Sequence, residues 1–210
     1  MIIEGNKNDL QQNEDWKLAR MGRFSCSQLS RLMAEPKSKS ETISAAAKTY
    51  VQECVAEKIT GLRAKDDFTS KYTEWGNDNE PIAKGIYNEV MNVKITETSY
   101  IPHDYNFGGS PDGLIGNDGI IEIKCPYTIT AHLDHIMGDI SKEYYWQMIG
   151  YLIITGREWI DFVSYHPGYP GKYQFKRTRI LRSNVLNDIE NAIDKINKAN
   201  NYLYLILNSI

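Results

Sequence analysis

The 210-residue chain has few cysteines and no long apolar segment. Its three cysteines, Cys26, Cys54 and Cys125, are widely separated, which argues against a disulfide framework, a four-cysteine zinc site and an iron–sulfur cluster. No stretch approaches the roughly 18 apolar residues of a membrane span. The first residues lack a basic segment followed by an apolar one, which argues against a secretory signal. We therefore expect cytoplasmic residence and no membrane association.

The chain also lacks a large excess of charge, a linker and internal repeats. Its 24 Lys and Arg residues against 27 Asp and Glu residues give a formal net charge of −3. Contact with nucleic acid would therefore have to come from local basic patches. No Gly/Ser-rich or Pro-rich linker divides the sequence, which predicts one domain over residues 1–210.

A first long helix is predicted before residue 61. Ser38 and Glu41 form a potential capping box, and Gly61 is a typical stop. The helical periodicity places Ile59 on the buried face, together with apolar residues of the preceding turns.

A second helix is predicted from Tyr72 to Met91. Pro81 must lie in its first turn or kink it, because an interior proline removes a hydrogen bond and clashes with the preceding turn. Spacing by four residues predicts that Ile82, Ile86 and Val90 form the inner face.

Strand periodicity follows the helices. Apolar segments between about Val93 and Pro126 are separated by turn residues and predict an antiparallel meander. A helix over Lys142–Thr155, a strand from Trp159, a basic strand and a closing helix from about Asn184 complete the pattern. This order predicts an α/β fold in which helices flank a central mixed sheet.

The segment SPDGLIGNDGIIEIKCPY carries the clearest chemical signal. Glu122 and Lys124 are two residues apart on a predicted strand, so their side chains leave the same face. If residues 117–119 form a three-residue loop with Gly119 in the left-handed conformation, Asp112 pairs opposite Lys124 and joins that face. A two-residue loop would turn Asp112 to the other face.

Two carboxylates and a lysine on one face suit metal-assisted hydrolysis of a phosphodiester. Asp112, Glu122 and the backbone carbonyl of Ile123 are hard oxygen donors, which favour Mg²⁺, with Mn²⁺ as a substitute. Lys124 can orient or deprotonate the attacking water. The spacing alone is equally compatible with a surface hairpin that carries an ion pair.

The motif resembles that of a known nuclease superfamily. The pattern PD-x9-E-x-K, formed by Pro111, Asp112, Glu122 and Lys124, is similar to the core of the PD-(D/E)xK nucleases. The wider sequence resembles the lambda exonuclease (YqaJ-type viral recombinase) family in four blocks that follow the family's order. These blocks are WKLARMGRFSCSQLSRLMAEP, EWGNDNEPIAKGIYNE, SPDGLIGNDGIIEIKCPY and YYWQMIGYLIITGREWIDFVSYHP. The resemblance implies a restriction-endonuclease-like core.

The resemblance also assigns residues to the catalytic site. The family's acidic residue on the helix before the sheet falls on Glu80, which should contribute to catalysis and to metal binding. The family's glutamine falls on Gln147, and Tyr151 lies one helical turn later on the same side. Many relatives carry a second glutamine at the position of Ile149, which bears on how firmly Gln147 is assigned.

A pocket for a 5'-phosphate is implied by the same resemblance. Its arginine and serines match Arg20, Ser27 and Ser110, and an arginine fork can donate two hydrogen bonds to phosphate oxygens. A second basic residue of the family is replaced by Thr130. His132 is a candidate substitute, although a lone histidine is more often structural.

A basic run near the carboxyl terminus allows two interpretations. Residues 172–182 contain five Lys and Arg residues and no acid, with Tyr173 and Phe175 between them. Such a run can follow a DNA backbone while its aromatic rings stack on bases. It can equally protect an edge strand from pairing with another sheet.

The resemblance implies a Mg²⁺-dependent 5'-to-3' double-strand DNA exonuclease with two metal ions per site. Such an enzyme digests one strand from a 5'-phosphorylated end and leaves 3' single-stranded DNA for recombination. The family context further implies a homotrimeric ring around DNA, a single-strand annealing recombinase as partner, and a phage or prophage protein in a bacterial cytoplasm. Two alternatives remain: an endonuclease with the same metal site, and a catalytically silent module that binds DNA ends.

Overall fold

The computed structural model describes Gln11 and residues 13–64, 70–104 and 106–210. Its α-helices are α1 Glu14–Arg20, α2 Leu29–Leu32, α3 Ala45–Thr60, α4 Lys71–Met91, α5 Ile129–Met137, α6 Lys142–Thr155 and α7 Leu186–Leu207. Its strands are β1 Phe24–Ser25, β2 Ile95–Thr96, β3 Ile101–His103, β4 Phe107–Gly109, β5 Gly113–Ile115, β6 Gly119–Lys124, β7 Trp159–Tyr165 and β8 Phe175–Leu181. Short 3₁₀ helices cover Cys26–Gln28, Gly171–Gln174 and Arg182–Asn184. Within these ranges, no helix is both long and apolar enough to span a membrane.

The strands form two sheets. The larger sheet has the order β2-β5-β6-β7-β8, and β6 and β7 are its parallel neighbours. The smaller sheet has the order β1-β4-β3. The predicted single meander is therefore wrong, because β3 and β4 leave the central sheet to pair with β1 instead. The predicted mixed sheet flanked by helices is confirmed, and α5 is an additional helix that the sequence pattern did not indicate.

Apolar side chains cover both faces of the larger sheet. On one face Ile120 and Phe162 pack with Met148 of α6 in a cluster that also includes residues of α3 and α7. On the other face Ile121 packs with Tyr87 of α4. The strands β6 and β7 are therefore buried on both sides, which gives the site at the end of β6 a rigid support.

The first long helix begins later than predicted. Ser44 is its N-cap, because the Ser44 hydroxyl accepts a hydrogen bond from the backbone N–H of Ala47. Ser38 instead contacts Ser40. The predicted end at Gly61 is confirmed, with a left-handed φ of 66°. Ile59 is 57% exposed, so its predicted burial is wrong.

The inner face of α4 also differs from the prediction. Ile82 and Val90 are 50% and 66% exposed, and Ile86 alone of the three packs, partly buried, against the core. Tyr87 is buried instead and donates a hydrogen bond of 2.6 Å to Asp161. This buried bond fixes the rotation of the helix about its axis and outweighs the apolar spacing. Pro81 lies inside the helix and not in its first turn.

The hairpin of the nuclease-like motif has a register shifted by two residues from the predicted one. Its pairs are Gly113 with Ile121, Leu114 with Ile120 and Ile115 with Gly119. One step further along this ladder, Asp112 lies beside Glu122 and not opposite Lys124. The left-handed loop residue is Gly116, with φ of 51°, and not Gly119. Because a shift of two residues preserves the face, Asp112 still joins Glu122 and Lys124.

Candidate active site

A cavity of about 180 Å³ lies on the carboxylate face of the hairpin, and we name it the carboxylate cavity. It is lined by Trp16, Arg20, Ser25, Ser27, Ser110, Asp112, Glu122, Lys124, Gln147 and Tyr151. The structure thus brings both motif carboxylates together with the three residues assigned to a terminal phosphate. The predicted residues that do not line it are Glu80, Ile123 and His132.

Glu122 is the centre of the hydrogen-bond network in this cavity. Only 2% of its surface is exposed. Its Oε1 accepts hydrogen bonds from Lys124 Nζ at 2.5 Å and from Gln147 Nε2 at 2.7 Å. Gln147 also donates to the Tyr151 hydroxyl at 2.9 Å, so the predicted pairing of these two residues along one side of α6 is observed.

The charge of Lys124 is stabilised by its neighbours. Burial lowers the pKa of Lys124, but the carboxylates of Glu122 and Asp112 outweigh burial and raise that pKa above its ordinary value. In this arrangement Lys124 is an ammonium group, which can donate hydrogen bonds and offset negative charge.

Asp112 is held against β6 by the backbone. Its Oδ2 accepts a hydrogen bond of 2.7 Å from the N–H of Ile123, and the residue is 9% exposed. This bond orients the carboxylate beside Glu122. The Asp112 and Glu122 carboxylates therefore line the same cavity.

The same cavity carries the groups suited to phosphate. The Arg20 guanidinium lies 3.9 Å from the centre of the Trp16 ring, one turn earlier in α1. The Trp16 indole donates a hydrogen bond of 2.8 Å to Ser110 Oγ. Burial lowers the pKa of Arg20. The indole therefore connects the arginine to the serine that precedes the PD dipeptide.

Two glycines allow close packing on the segment that carries Ser27. A Cβ atom on Gly109 would lie 2.6 Å from Cys26 Sγ, and one on Gly150 would lie 3.0 Å from the same sulfur. Only glycine permits β4 and α6 to pack this closely on the 3₁₀ helix that contains Cys26. That helix carries Ser27, whose hydroxyl lies 2.9 Å from the hydroxyl of Ser25.

Glu80 and Ile123 line a different cavity. This second cavity has a volume of about 620 Å³ and shares Lys124 with the carboxylate cavity. Glu80 forms an ion pair of 3.2 Å with Lys84. Among the residues that the structure describes, no three His, Cys, Asp or Glu side chains are grouped closely enough to hold a metal ion. Glu80 is therefore not assembled with Asp112 and Glu122 here.

The predicted role of His132 in phosphate binding does not fit the structure. His132 is fully buried, and its ring nitrogens lie 2.7 Å from Ser164 Oγ and 2.8 Å from the carbonyl oxygen of Tyr173. Both nitrogens are thus engaged within the protein. His132 is therefore a structural histidine, the alternative given in the sequence analysis.

The basic run is largely used for internal contacts. Asp161 is fully buried and accepts hydrogen bonds from Arg179 and Arg177. Arg182 donates to the backbone carbonyl of Leu152. Because β8 is an edge of the larger sheet, these contacts favour the structural interpretation of the run over a DNA-binding track.

Two residues of the cavity were not singled out from the sequence. Ser25 carried no signal of its own. Trp16 lies four residues before Arg20 on a helix, and that spacing is a usable signal for a stacked pair.

Comparison with known proteins assigns the family. Residues 15–158 match the family model of the YqaJ-like viral recombinase domain. The chain belongs to this family. It is a family of nucleases, so the prediction of an enzyme that hydrolyses DNA is confirmed.

Solved structures agree with this assignment. An alkaline exonuclease (LHK-Exo) from Laribacter hongkongensis is 30% identical, with a TM-score of 0.76 over 94% of this chain and 97% of that one. Its complex with dAMP is 31% identical, with the same TM-score and coverage of 94% and 98%. A phage-related exonuclease from Haemophilus somnus 129PT shares the fold, at 22% identity, a TM-score of 0.72 and coverage of 89% and 96%. No curated protein was found to be similar to the chain.

Proposed function

We propose that the protein is a Mg²⁺-dependent 5'-to-3' exonuclease acting on double-stranded DNA. It would digest one strand from a 5'-phosphorylated end and leave a 3' single strand for recombination. The observation that carries the proposal is the shared cavity: Arg20, Ser27 and Ser110 line the same small space as Asp112 and Glu122. The similarity to alkaline exonucleases supports the same reaction class.

The donor set of the cavity fits a hard divalent cation. Asp112 and Glu122 supply carboxylate oxygens, whereas Ile123, whose carbonyl was the third predicted donor, lines the neighbouring cavity. Mg²⁺ is commonly bound through one or two carboxylates while it keeps several waters. When bound, such an ion would activate water and offset negative charge on the phosphate. A second ion would require Glu80, which lines the neighbouring cavity.

Lys124 and Gln147 both orient Glu122, and Lys124 also acts through its positive charge. Both donate to the same oxygen of Glu122 and hold that carboxylate in one orientation. The Lys124 ammonium group would also stabilise charge that develops on the phosphate and position the attacking water. Glu122 and Gln147 are buried, which keeps the hydrogen bond between them out of bulk solvent, where it would be weaker.

Arg20, Ser27 and Ser110 would hold the terminal phosphate. A guanidinium donates paired hydrogen bonds to phosphate oxygens, and hydroxyl groups add neutral donors. Stacking on Trp16 fixes the arginine in place. A strand end bound by these groups would place its first internal phosphodiester near the carboxylates, which favours removal of single nucleotides over internal cutting.

Membership of the family supports a wider proposal. We propose that residues 1–210 form one nuclease domain, that the protein assembles as a homotrimeric ring around DNA, and that it works with a single-strand annealing recombinase. Its place would be the bacterial cytoplasm during growth of a phage or prophage.

The test uses two DNAs of one sequence, a linear duplex with 5'-phosphates and its covalently closed circle. Each is incubated with the protein in Mg²⁺ and in EDTA. Loss of the linear form alone, with release of mononucleotides and only in Mg²⁺, is the expected result. Cutting of the circle would favour the endonuclease. If both DNAs stay intact in Mg²⁺ and in Mn²⁺, the protein is a silent module that binds DNA ends.

A further inference from the structure

The larger cavity beside the carboxylates has features of a nucleotide site. We name it the tyrosine cavity, because Tyr72, Tyr127 and Tyr144 line it together with Glu80 and Lys124. Its volume of about 620 Å³ lies within the range of roughly 300–1,000 Å³ typical of ligand pockets, whereas the carboxylate cavity is smaller than that range. A strand that reaches Lys124 therefore has room for further nucleotides on this side.

Two of the tyrosine side chains that line this cavity are exposed to solvent. Tyr72 is 56% exposed and Tyr127 is 42% exposed. Their ring centres are 5.1 Å apart in an edge-to-face arrangement. Rings buried in a core would not leave this area to solvent, whereas rings that stack on bases need an open face.

The Tyr127 ring is held in place by contacts with Trp75. Trp75 lies 5.6 Å from the Tyr127 ring, and its indole donates a hydrogen bond of 3.1 Å to the carbonyl of Pro126. Tyr127 follows Pro126 and lies three residues after Lys124, the last residue of the motif strand β6. The position of the ring is therefore coupled to the strand that carries Glu122 and Lys124.

A cation lies next to both rings. Lys71 Nζ is 5.3 Å from the centre of the Tyr72 ring and 5.1 Å from the centre of the Tyr127 ring. An ammonium group beside aromatic faces suits single-stranded nucleic acid, in which phosphates and bases alternate along the chain.

We propose that the tyrosine cavity binds the cleaved strand on the 3' side of the bond being hydrolysed, with bases stacked on Tyr72 and Tyr127. This inference rests on the proposed function. The strand would run from the terminal phosphate at Arg20, past the two carboxylates and Lys124, to the tyrosine rings. Stacking is tolerant of sequence, so the site would add affinity without selecting a base.

The test measures binding of a 5'-phosphorylated single-stranded decamer by fluorescence anisotropy in EDTA, where hydrolysis does not occur. Tyr72→Ala should raise the Kd about tenfold, and Tyr72→Phe, which keeps the ring, should stay within about twofold of the unsubstituted protein. Tyr204→Ala is the matched control, because Tyr204 is 52% exposed and lies on α7. Tyr127→Ala should weaken binding as Tyr72→Ala does.

Abasic residues at the second and third positions of the decamer locate the contact. They should weaken binding by the unsubstituted protein and have a smaller effect on Tyr72→Ala, because one of the two rings that they would have contacted is already missing. Unchanged binding by Tyr72→Ala, or an equal loss in Tyr204→Ala, would overturn the inference. The inference would also be overturned if the fold increases in Kd caused by the abasic residues and by Tyr72→Ala simply multiplied when the two changes are combined.

Two further measurements separate this inference from its alternatives. If the unsubstituted protein binds the decamer through Tyr72 but hydrolyses no DNA in Mg²⁺, the proposed function fails and the base-binding site remains. Sedimentation of Tyr72→Ala tests whether the rings contact a second copy of the chain. A changed oligomeric mass with unchanged DNA binding would assign the rings to that contact and overturn the inference.

Discussion

Gln147 donates a hydrogen bond of 2.7 Å to Oε1 of Glu122, the same oxygen that accepts from Lys124. A helix of the flanking layer thereby fixes the orientation of a strand carboxylate that is 2% exposed. Because an amide donates without adding charge, Gln147 can orient Glu122 without neutralising the negative charge that would attract a metal cation.

Gln147→Leu should therefore lower kcat about ten- to hundredfold, as loss of a group that orients a metal-binding carboxylate does. The KM for DNA should change little, because Gln147 contacts Glu122 and not the expected path of the strand. Tyr151→Phe, which removes the hydroxyl that accepts the second hydrogen bond of Gln147, is the matched comparison and should have a smaller effect. A rise in KM at unchanged kcat would assign Gln147 to DNA binding.

Two buried aspartates, Asp112 and Asp161, should behave in opposite ways when substituted. Asp161→Ala should cost about 3 kcal/mol of the free energy of unfolding, because it leaves Arg177 and Arg179 without their shared carboxylate. Asp112→Asn should abolish hydrolysis and leave the thermal unfolding midpoint close to that of the unsubstituted protein. Urea unfolding and nuclease assays on both variants make the comparison. Hydrolysis by Asp112→Asn at the normal rate would remove Asp112 from the site.

Arg20→Ala should slow the digestion of 5'-phosphorylated ends about ten- to hundredfold, the loss expected for charge-assisted hydrogen bonds. Ends with a 5'-hydroxyl should be digested at the rate of the unsubstituted protein. Arg23→Ala is the matched control, because Arg23 lines an adjacent cleft and not the carboxylate cavity. An equal loss on both kinds of end would make Arg20 a general DNA-binding or structural residue.

His132 and His135 should make stability depend on pH. The Nδ1 atom of each histidine lies within 2.9 Å of Ser164 Oγ. Burial lowers the pKa of both histidines below the ordinary 6.5. The unfolded chain takes up protons near that value, whereas the folded chain does so only at lower pH. The free energy of unfolding should therefore fall as the pH decreases below about 6.5.

Thermal unfolding between about pH 7.5 and about pH 5.5 checks this expectation. His132→Gln should lose less stability over that interval than the unsubstituted protein, whereas His103→Gln, on the partly exposed strand β3, should lose as much. Equal slopes for all three proteins would show that the buried histidines do not control the pH dependence.

Residues of the site were predictable where local rules decide their position. Asp112, Glu122 and Lys124 share a face because strand side chains alternate, and a shift of two residues in the register does not change that alternation. Gln147 and Tyr151 meet because helical residues four apart are neighbours.

Positions decided by long-range contacts could not be predicted from the sequence. The inner face of α4 follows from the hydrogen bond between Tyr87 and Asp161, whose residues are 74 positions apart. The burial of His132 depends on Ser164 and Tyr173. The choice of Ser44 over Ser38 as the helix cap involved two equally suitable residue types, and only the packed structure distinguishes them.

The direction of digestion from the phosphorylated end is the central property of the proposed exonuclease. The direct measurement follows two linear duplexes with 5'-phosphates, one labelled at the 5'-terminal nucleotide and the other at the 3'-terminal nucleotide, over the first rounds of hydrolysis in Mg²⁺. We predict that labelled mononucleotide appears at once from the 5' label, while the 3' label stays in strands that shorten progressively. Early release of the 3' label, or labelled fragments of intermediate length from the 5' label, would contradict the account.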